Sequence, residues 1–167
     1  MARGGSGSPR KDVEPFVKAG DTAADLGCHA GYYTFALAEC VGPEGRVHAV
    51  DLDSEAIRAV EREASERGYR NVETHACSAA NLGFLKDGSV DFVLANGLLC
   101  SMPQDREAAV GEIQRVLKPG GRAYLSLGMP PPFGHVNRAE WERILAGFRV
   151  ERRGRGWRAK WALVSGR

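Results

Sequence analysis

The sequence predicts an α/β fold, a doubly wound and mostly parallel sheet of seven strands in the middle of three layers. Three observations carry that expectation. Short apolar runs alternate five times with stretches of helical periodicity, the pattern of strands joined by crossover helices. The first apolar run ends in a glycine turn, Asp25-Leu26-Gly27-Cys28-His29-Ala30-Gly31, which leads directly into a helix-forming segment. Two further strand-like runs close the sequence, and their nearness in the chain adds an antiparallel element at one end of the sheet.

Taken in order, Ala23-Ala24-Asp25-Leu26 ends the first strand, and Tyr32 to Cys40 forms the first helix, with Tyr33, Leu37 and Cys40 on one face. Gly42-Pro43-Glu44-Gly45 breaks that helix. Arg46 to Asp51 is a short second strand ending in a carboxylate. Asp53 or Ser54 caps the next helix, in which Ile57, Val60 and Ala64 recur at helical spacing until Gly68 stops it. Asn71 to Ala76 is the third strand. Val90 to Ala95 is the fourth and most apolar, as a central parallel strand buried on both faces should be. Pro103 and Asp105 introduce a helix carrying Val110, Ile113, Val116 and Leu117, which Lys118-Pro119-Gly120-Gly121 ends before a fifth strand at Arg122 to Leu127. Asn137 and Glu140 form a capping box for a helix through Leu145. Phe148 to Arg152 and Trp157 to Val164 are then two strands joined by a Gly154–Gly156 turn.

A chain of 167 residues, 43% hydrophobic and 26% charged, fits one globular domain, expected over 13–167 behind a flexible arm at 1–12. No apolar run approaches the roughly 20 residues of a membrane span, and the N-terminal stretch lacks the apolar core of a signal peptide. Cys28, Cys40, Cys77 and Cys100 are scattered without C-x-x-C spacing. They are therefore expected to be reduced thiols in a cytoplasmic protein, with no metal site and no disulfide framework. The net charge of +2 hides an asymmetry: residues 135–167 hold nine Lys/Arg against three Asp/Glu, whereas residues 21–134 hold ten against sixteen. The C-terminal segment is thus a candidate surface for an anionic partner.

An acidic residue at a strand end, followed by a glycine turn, is how such folds receive a nucleotide-like cofactor. Dinucleotide enzymes carry G-x-G-x-x-G, but here Gly27 and Gly31 are separated by three residues and preceded by Asp25. Further features follow in sequence. Asp51 ends the second strand, Ser78-Ala79-Ala80-Asn81-Leu82 follows the third, Asp91-Phe92-Val93 lies in the fourth, and Leu117-Lys118-Pro119-Gly120-Gly121-Arg122 precedes the fifth. Over roughly residues 15–165 this ordered set resembles the class I S-adenosylmethionine-dependent methyltransferases, whose first motif is D-x-G-x-G-x-G. The resemblance implies a Rossmann-like sheet of order 3-2-1-4-5-7-6 with its last strand antiparallel, and S-adenosylmethionine as cofactor over the C-terminal ends of strands one, two and four. It implies cofactor binding by Asp25, Gly27, Cys28, His29, Gly31, Asp51, Leu52, Ser78, Ala79 and Asn96. In that arrangement Asp25 meets the amino group of the methionine part and Asp51 accepts hydrogen bonds from both ribose hydroxyls. The glycines let the backbone turn tightly beneath the methionine part.

Two positions depart from the motif. His29 stands where the middle glycine would be; it either leans out to solvent, crowds the cofactor or adds a polar contact. Ser78 stands where the family often carries an Asp, which leaves a hydroxyl or a backbone carbonyl as a weaker acceptor for the adenine amino group. Methyl transfer needs an aligned nucleophile and exclusion of water, and a general base only where the nucleophile must lose a proton. The candidates for that role are Cys100, in the segment after strand four, and His135, after the proline loop; each has the plain alternative of a core thiol or a loop histidine.

The expected activity is methyl transfer to a small-molecule acceptor. Two other readings compete. One is an RNA or protein methyltransferase that docks through Arg149, Arg152, Arg153, Arg155, Arg158 and Lys160, interleaved with Phe148, Trp157 and Trp161; the same alternation also describes a charged edge strand protected from pairing. The other is a non-catalytic cofactor-binding module. The short segment before the first strand implies an open crevice, closed by a large substrate or a partner, with a homodimer among the possibilities.

Overall fold

The computed structural model describes residues 8–128, 136–155 and 160–166. Its strands are β1 (Thr22–Leu26), β2 (Arg46–Asp51), β3 (Val72–Ala76), β4 (Val90–Asn96), β5 (Leu117–Leu127), β6 (Arg149–Arg155) and β7 (Lys160–Ser165). They form one sheet in the order β3-β2-β1-β4-β5-β7-β6. The first five pair in parallel, and β7 pairs antiparallel with both β5 and β6. This is the architecture and strand order expected from the sequence. The near-continuous burial of Ala23 to Leu26 and of Phe92 to Ala95 follows from it, because helices cover both faces of central parallel strands.

On one face lie α1 (Pro9–Val13), α2 (Thr34–Val41) and α3 (Ser54–Glu66). Leu37 and Val41 of α2 pack with Val13, Val47 and Phe92, while Ile57 and Val60 of α3 pack with Phe35 and Ala49. The opposite face carries α4 (Leu98–Ser101), α5 (Arg106–Val116) and α6 (Arg138–Ala146). There Ile113, Val116, Trp141 and Ile144 join Leu99, Leu125 and Val164 in the largest core cluster. The caps follow the sequence. Asp53 accepts from the Glu55 N–H at 2.8 Å, and Asn137 and Glu140 form the complete reciprocal box.

Four local features differ from the sequence expectation. Residues 9–13 form a short helix where an arm was expected up to residue 12, and Val13 is buried against α2. Just beyond it Phe16 stacks on Phe92 at 5.8 Å, and its carbonyl accepts from Arg122 at 3.0 Å. Second, Leu117 already pairs with Val90, and the ladder resumes at Arg122 opposite Phe92. The intervening Lys118-Pro119-Gly120-Gly121 is a bulge inside β5; a Cβ on Gly121 would lie 2.9 Å from the Val90 carbonyl, so only glycine lets the bulged backbone lie there. Third, Gly154 belongs to β6, opposite Trp161, rather than to a turn, because the indole occupies the space a Cβ would need. Gly156 of the expected turn, and Trp157 and Arg158 at the start of the expected last strand, lie outside the described residues.

Fourth, the connection between β3 and β4 contains neither helix nor strand. Leu82 and Leu85 anchor it in the core. Arg115 of α5 clamps it, donating to the carbonyls of Leu82 (3.0 Å) and Leu85 (2.8 Å) and to Asp87 (2.7 Å), while Glu112 accepts from the Leu82 N–H. The β2–β3 end of this sheet face is consequently covered by a loop.

Candidate active site: the crevice at the ends of β1, β2 and β4

The chain leaves β1 through a turn that three backbone hydrogen bonds hold in place. The N–H groups of Gly27 and Cys28 donate to the Val50 carbonyl at the end of β2, at 2.8 and 3.1 Å, and Gly31 donates back to Cys28 at 2.9 Å. Gly27, His29 and Gly31 all have positive φ, at 77°, 47° and 82°. The departure from the glycine pattern therefore falls on a position whose backbone favours glycine. The His29 side chain is 90% exposed, so of the three readings open for it the outward-leaning one describes this structure.

The glycines have packing reasons besides conformational ones. A Cβ on Gly27 would come 3.1 Å from Leu98 of α4, and one on Gly31 would come 2.7 Å from the Phe35 ring. The expected motive for Gly31, clearance beneath a ligand, is accompanied here by clearance for the helix that follows.

Two carboxylates face this turn. Asp51 accepts the His29 N–H on Oδ2 and the Asp53 N–H on Oδ1, each at 2.9 Å. Both oxygens are thereby fixed in orientation, with lone pairs left for further donors. Leu52 follows it, 78% exposed. Asp25 is buried, and its Oδ2 accepts the Thr34 hydroxyl at 2.7 Å. Burial pushes the Asp25 carboxyl up to about 6, against the opposing pull of the Thr34 hydrogen bond and of His29. A buried carboxyl of this kind gains from a cation brought against it.

The third wall comes from β4. Asn96 accepts the Ser126 hydroxyl at 2.6 Å, and the Gly97 N–H donates to the Ser126 hydroxyl oxygen at 3.0 Å, which holds the strand end in its left-handed exit. Ser78 lies in the loop after β3, where its hydroxyl accepts the Ala80 N–H at 3.2 Å and its carbonyl accepts the Asn81 N–H at 2.9 Å. Ala79 is buried in the core, so its side chain is not a crevice wall.

Three further residues singled out in the sequence are Cys28, Cys100 and His135. Cys28 packs between Phe35, Ala49 and Val60, and burial pushes its thiol well above the usual range, leaving its backbone as the part nearest the turn. Cys100 is buried in the large core, with its thiol donating to the Gly97 carbonyl at 2.9 Å, which matches the core-thiol alternative. His135 lies outside the described residues. Sequence reasoning missed Thr34, Leu98 and Ser126, which position Asp25, Gly27 and Asn96. Only Thr34 carries a sequence signal, as a hydroxyl at the start of the helix behind the glycine turn.

A parallel sheet whose strand order reverses beside β1, with a glycine turn and two carboxylates at the reversal, defines a doubly wound domain built to take a nucleotide-like cofactor in that crevice. Residues 23–121 match the methyltransferase domain family, and the chain belongs to that family. It is similar to demethylmenaquinone methyltransferase of Geobacillus stearothermophilus, with 37% identity over 128 residues covering 75% of this chain and 54% of the relative. It is also 36% identical to nocamycin O-methyltransferase of Saccharothrix syringae over 120 residues, 72% of this chain and 41% of that one. The chain thus spans about half the length of the curated relatives it matches. Among solved structures, a SAM-dependent methyltransferase from Aquifex aeolicus superposes with a TM-score of 0.79 at 27% identity, over 93% of this chain and 88% of that one. S-adenosylmethionine is the cofactor these likenesses support.

Proposed function

We propose that this chain transfers a methyl group from S-adenosylmethionine to a small-molecule acceptor. The observation that carries the reading is the oriented Asp51 carboxylate, held by the His29 and Asp53 N–H groups at the mouth of the turn and followed by exposed Leu52. An acceptor pair fixed in this way suits the vicinal hydroxyls of a ribose, and an exposed leucine beside it suits the face of a purine. Buried Asp25 suits the cationic methionine end, and Gly27 keeps the floor between them low. When bound, the cofactor supplies a methyl group made electrophilic by its sulfonium. The protein's share is to hold an acceptor in line and to exclude water.

Small-molecule chemistry is favoured by the relatives, which are named for a quinone precursor and for nocamycin. The RNA-docking alternative is weakened by the position of the basic segment. β6 is the outer strand of the sheet, where charge prevents edge pairing, and its Arg153 is already paired with Glu142 at 3.1 Å. A single domain over 13–167, a cytoplasmic location, in keeping with four free thiols, and a homodimer completing the crevice belong to the same proposal. No described helix is long and apolar enough to cross a membrane.

Calorimetric titration with S-adenosylmethionine and its demethylated product tests the reading. Both should bind at one site, and Asp51→Ala should weaken them by about 10–100-fold, the worth of charge-assisted hydrogen bonds. Absence of binding by either compound overturns the proposal, and an unchanged affinity in the variant overturns the ribose assignment.

A further inference from the structure

We propose that His48, Glu73 and His75 form a binding site for a divalent transition-metal ion, zinc in the first instance, on the sheet face that the β3–β4 connection covers. His48 on β2 stands opposite Glu73 on β3, and Val50 stands opposite His75. Side chains two apart on a strand share a face, so the register brings all three donors together. His48 Nδ1 lies 3.1 Å from His75 Nε2 and 3.5 Å from Glu73 Oε2, and all three donor atoms fall within 4.8 Å of one another.

The two spacings from His48 Nδ1 are those of a coordination shell. Zinc bonds of about 2.0–2.1 Å at tetrahedral angles put neighbouring donors roughly 3.3–3.4 Å apart, so an ion fits between the two imidazoles and the carboxylate with side-chain adjustment alone. Two imidazoles and one carboxylate are a donor set that zinc uses with a fourth position open to water. The surroundings orient the donors as outer partners of metal ligands do. Arg46 holds Glu73 Oε1 at 2.7 Å, which leaves Oε2 towards His48. Phe84, reaching over from the helix-free connection, stacks on His75 with ring centroids 3.6 Å apart. The His48 side chain is almost fully buried whereas that of Glu73 is 44% exposed, so the site has a rigid floor and an open door. An ion there would staple the edge strand β3 to β2 on the sheet face opposite the one that α3 covers.

The site is separate from the crevice carboxylate: His48 is three residues before Asp51, about 10 Å along the strand, and His75, level with Val50, lies on the sheet face opposite the one that Asp51 takes. The sequence signal is weak, an E-T-H triplet in a strand and a histidine in the strand before it.

The test is a titration of untagged protein with Co²⁺, read by visible absorption, followed by displacement with Zn²⁺. One equivalent should bind with a tetrahedral or five-coordinate spectrum lacking thiolate charge-transfer bands, and zinc should displace it and raise the melting temperature. Glu73→Gln and His75→Ala should each weaken binding about 10–100-fold while leaving S-adenosylmethionine affinity unchanged, so this result is read independently of the cofactor proposal. Should His75→Ala fail to fold, Glu73→Gln, at a half-exposed side chain, decides the matter. No binding to the wild type, thiolate bands from the cysteines, or unchanged affinity in Glu73→Gln overturns the proposal.

Discussion

Replacing Asp25 with asparagine separates what the buried carboxylate costs the fold from what it does for the ligand. In the folded chain the carboxyl titrates near 6 rather than at its ordinary 3.8, because burial penalises the charge more than Thr34 relieves it. A raised folded value means that Asp25 stabilises the fold fully below 3.8 and that this contribution is lost as pH rises through 6. Ionised at neutral pH, it therefore costs about 3 kcal/mol relative to a neutral carboxyl. Asparagine keeps an oxygen for the Thr34 hydroxyl and removes the charge. The variant should be more stable than the wild type by about 1–3 kcal/mol at pH 7.5, the lower figure allowing for the buried amide. The difference should be level above 6, shrink as pH falls towards 3.8 and be small below it. Urea unfolding followed by tryptophan fluorescence across that pH range measures it. S-adenosylmethionine affinity should move the other way, at least tenfold weaker at pH 7.5. A variant no more stable than the wild type at neutral pH, or a stability difference without pH dependence, would refute the reasoning.

Two predictions concern the glycine turn. His29→Gly should stabilise the chain by about 1 kcal/mol in the same unfolding experiment, because residue 29 has a φ of 47° that costs a side-chain-bearing residue about that much; cofactor affinity should hold, since the 2.9 Å hydrogen bond to Asp51 comes from the backbone N–H, which glycine keeps, and the exposed imidazole comes no nearer than 3.9 Å. Gly31→Ala should destabilise by about 2–4 kcal/mol, combining a left-handed backbone with a Cβ pressed into the Phe35 ring. A loss under 1 kcal/mol would mean that the α2 packing at this point is soft.

The element order was legible because strands and helices declare themselves through short-range periodicity and caps. The alternation ending in a close strand pair, the Asn137–Glu140 box and the Asp53 cap all required only neighbours in the chain. The bulge at Lys118–Gly121 was not legible as part of a strand, since the ladder on either side of it pairs Leu117 with Val90 and Arg122 with Phe92. Gly154 misled for a related reason: glycine in a sequence signals a turn, and only the Trp161 ring across the ladder explains one inside a strand. The inward direction of Cys28 and Cys100 was likewise set by what packs against them, and a thiol beside a glycine turn carries no local mark of which way it points.

By itself the sequence determined the class of fold, the glycine turn and the acidic residues near the end of β1 and ending β2, because strand alternation and turn chemistry are written in consecutive residues. The tertiary structure decided what those residues experience. Burial raises the Asp25 carboxyl, and two backbone N–H groups, one of them 22 residues away, aim the Asp51 oxygens. The pairing register of β2 with β3 sets two histidines 27 residues apart at 3.1 Å. Desolvation and juxtaposition are properties of the packed chain, and they come into being only when distant segments share a face.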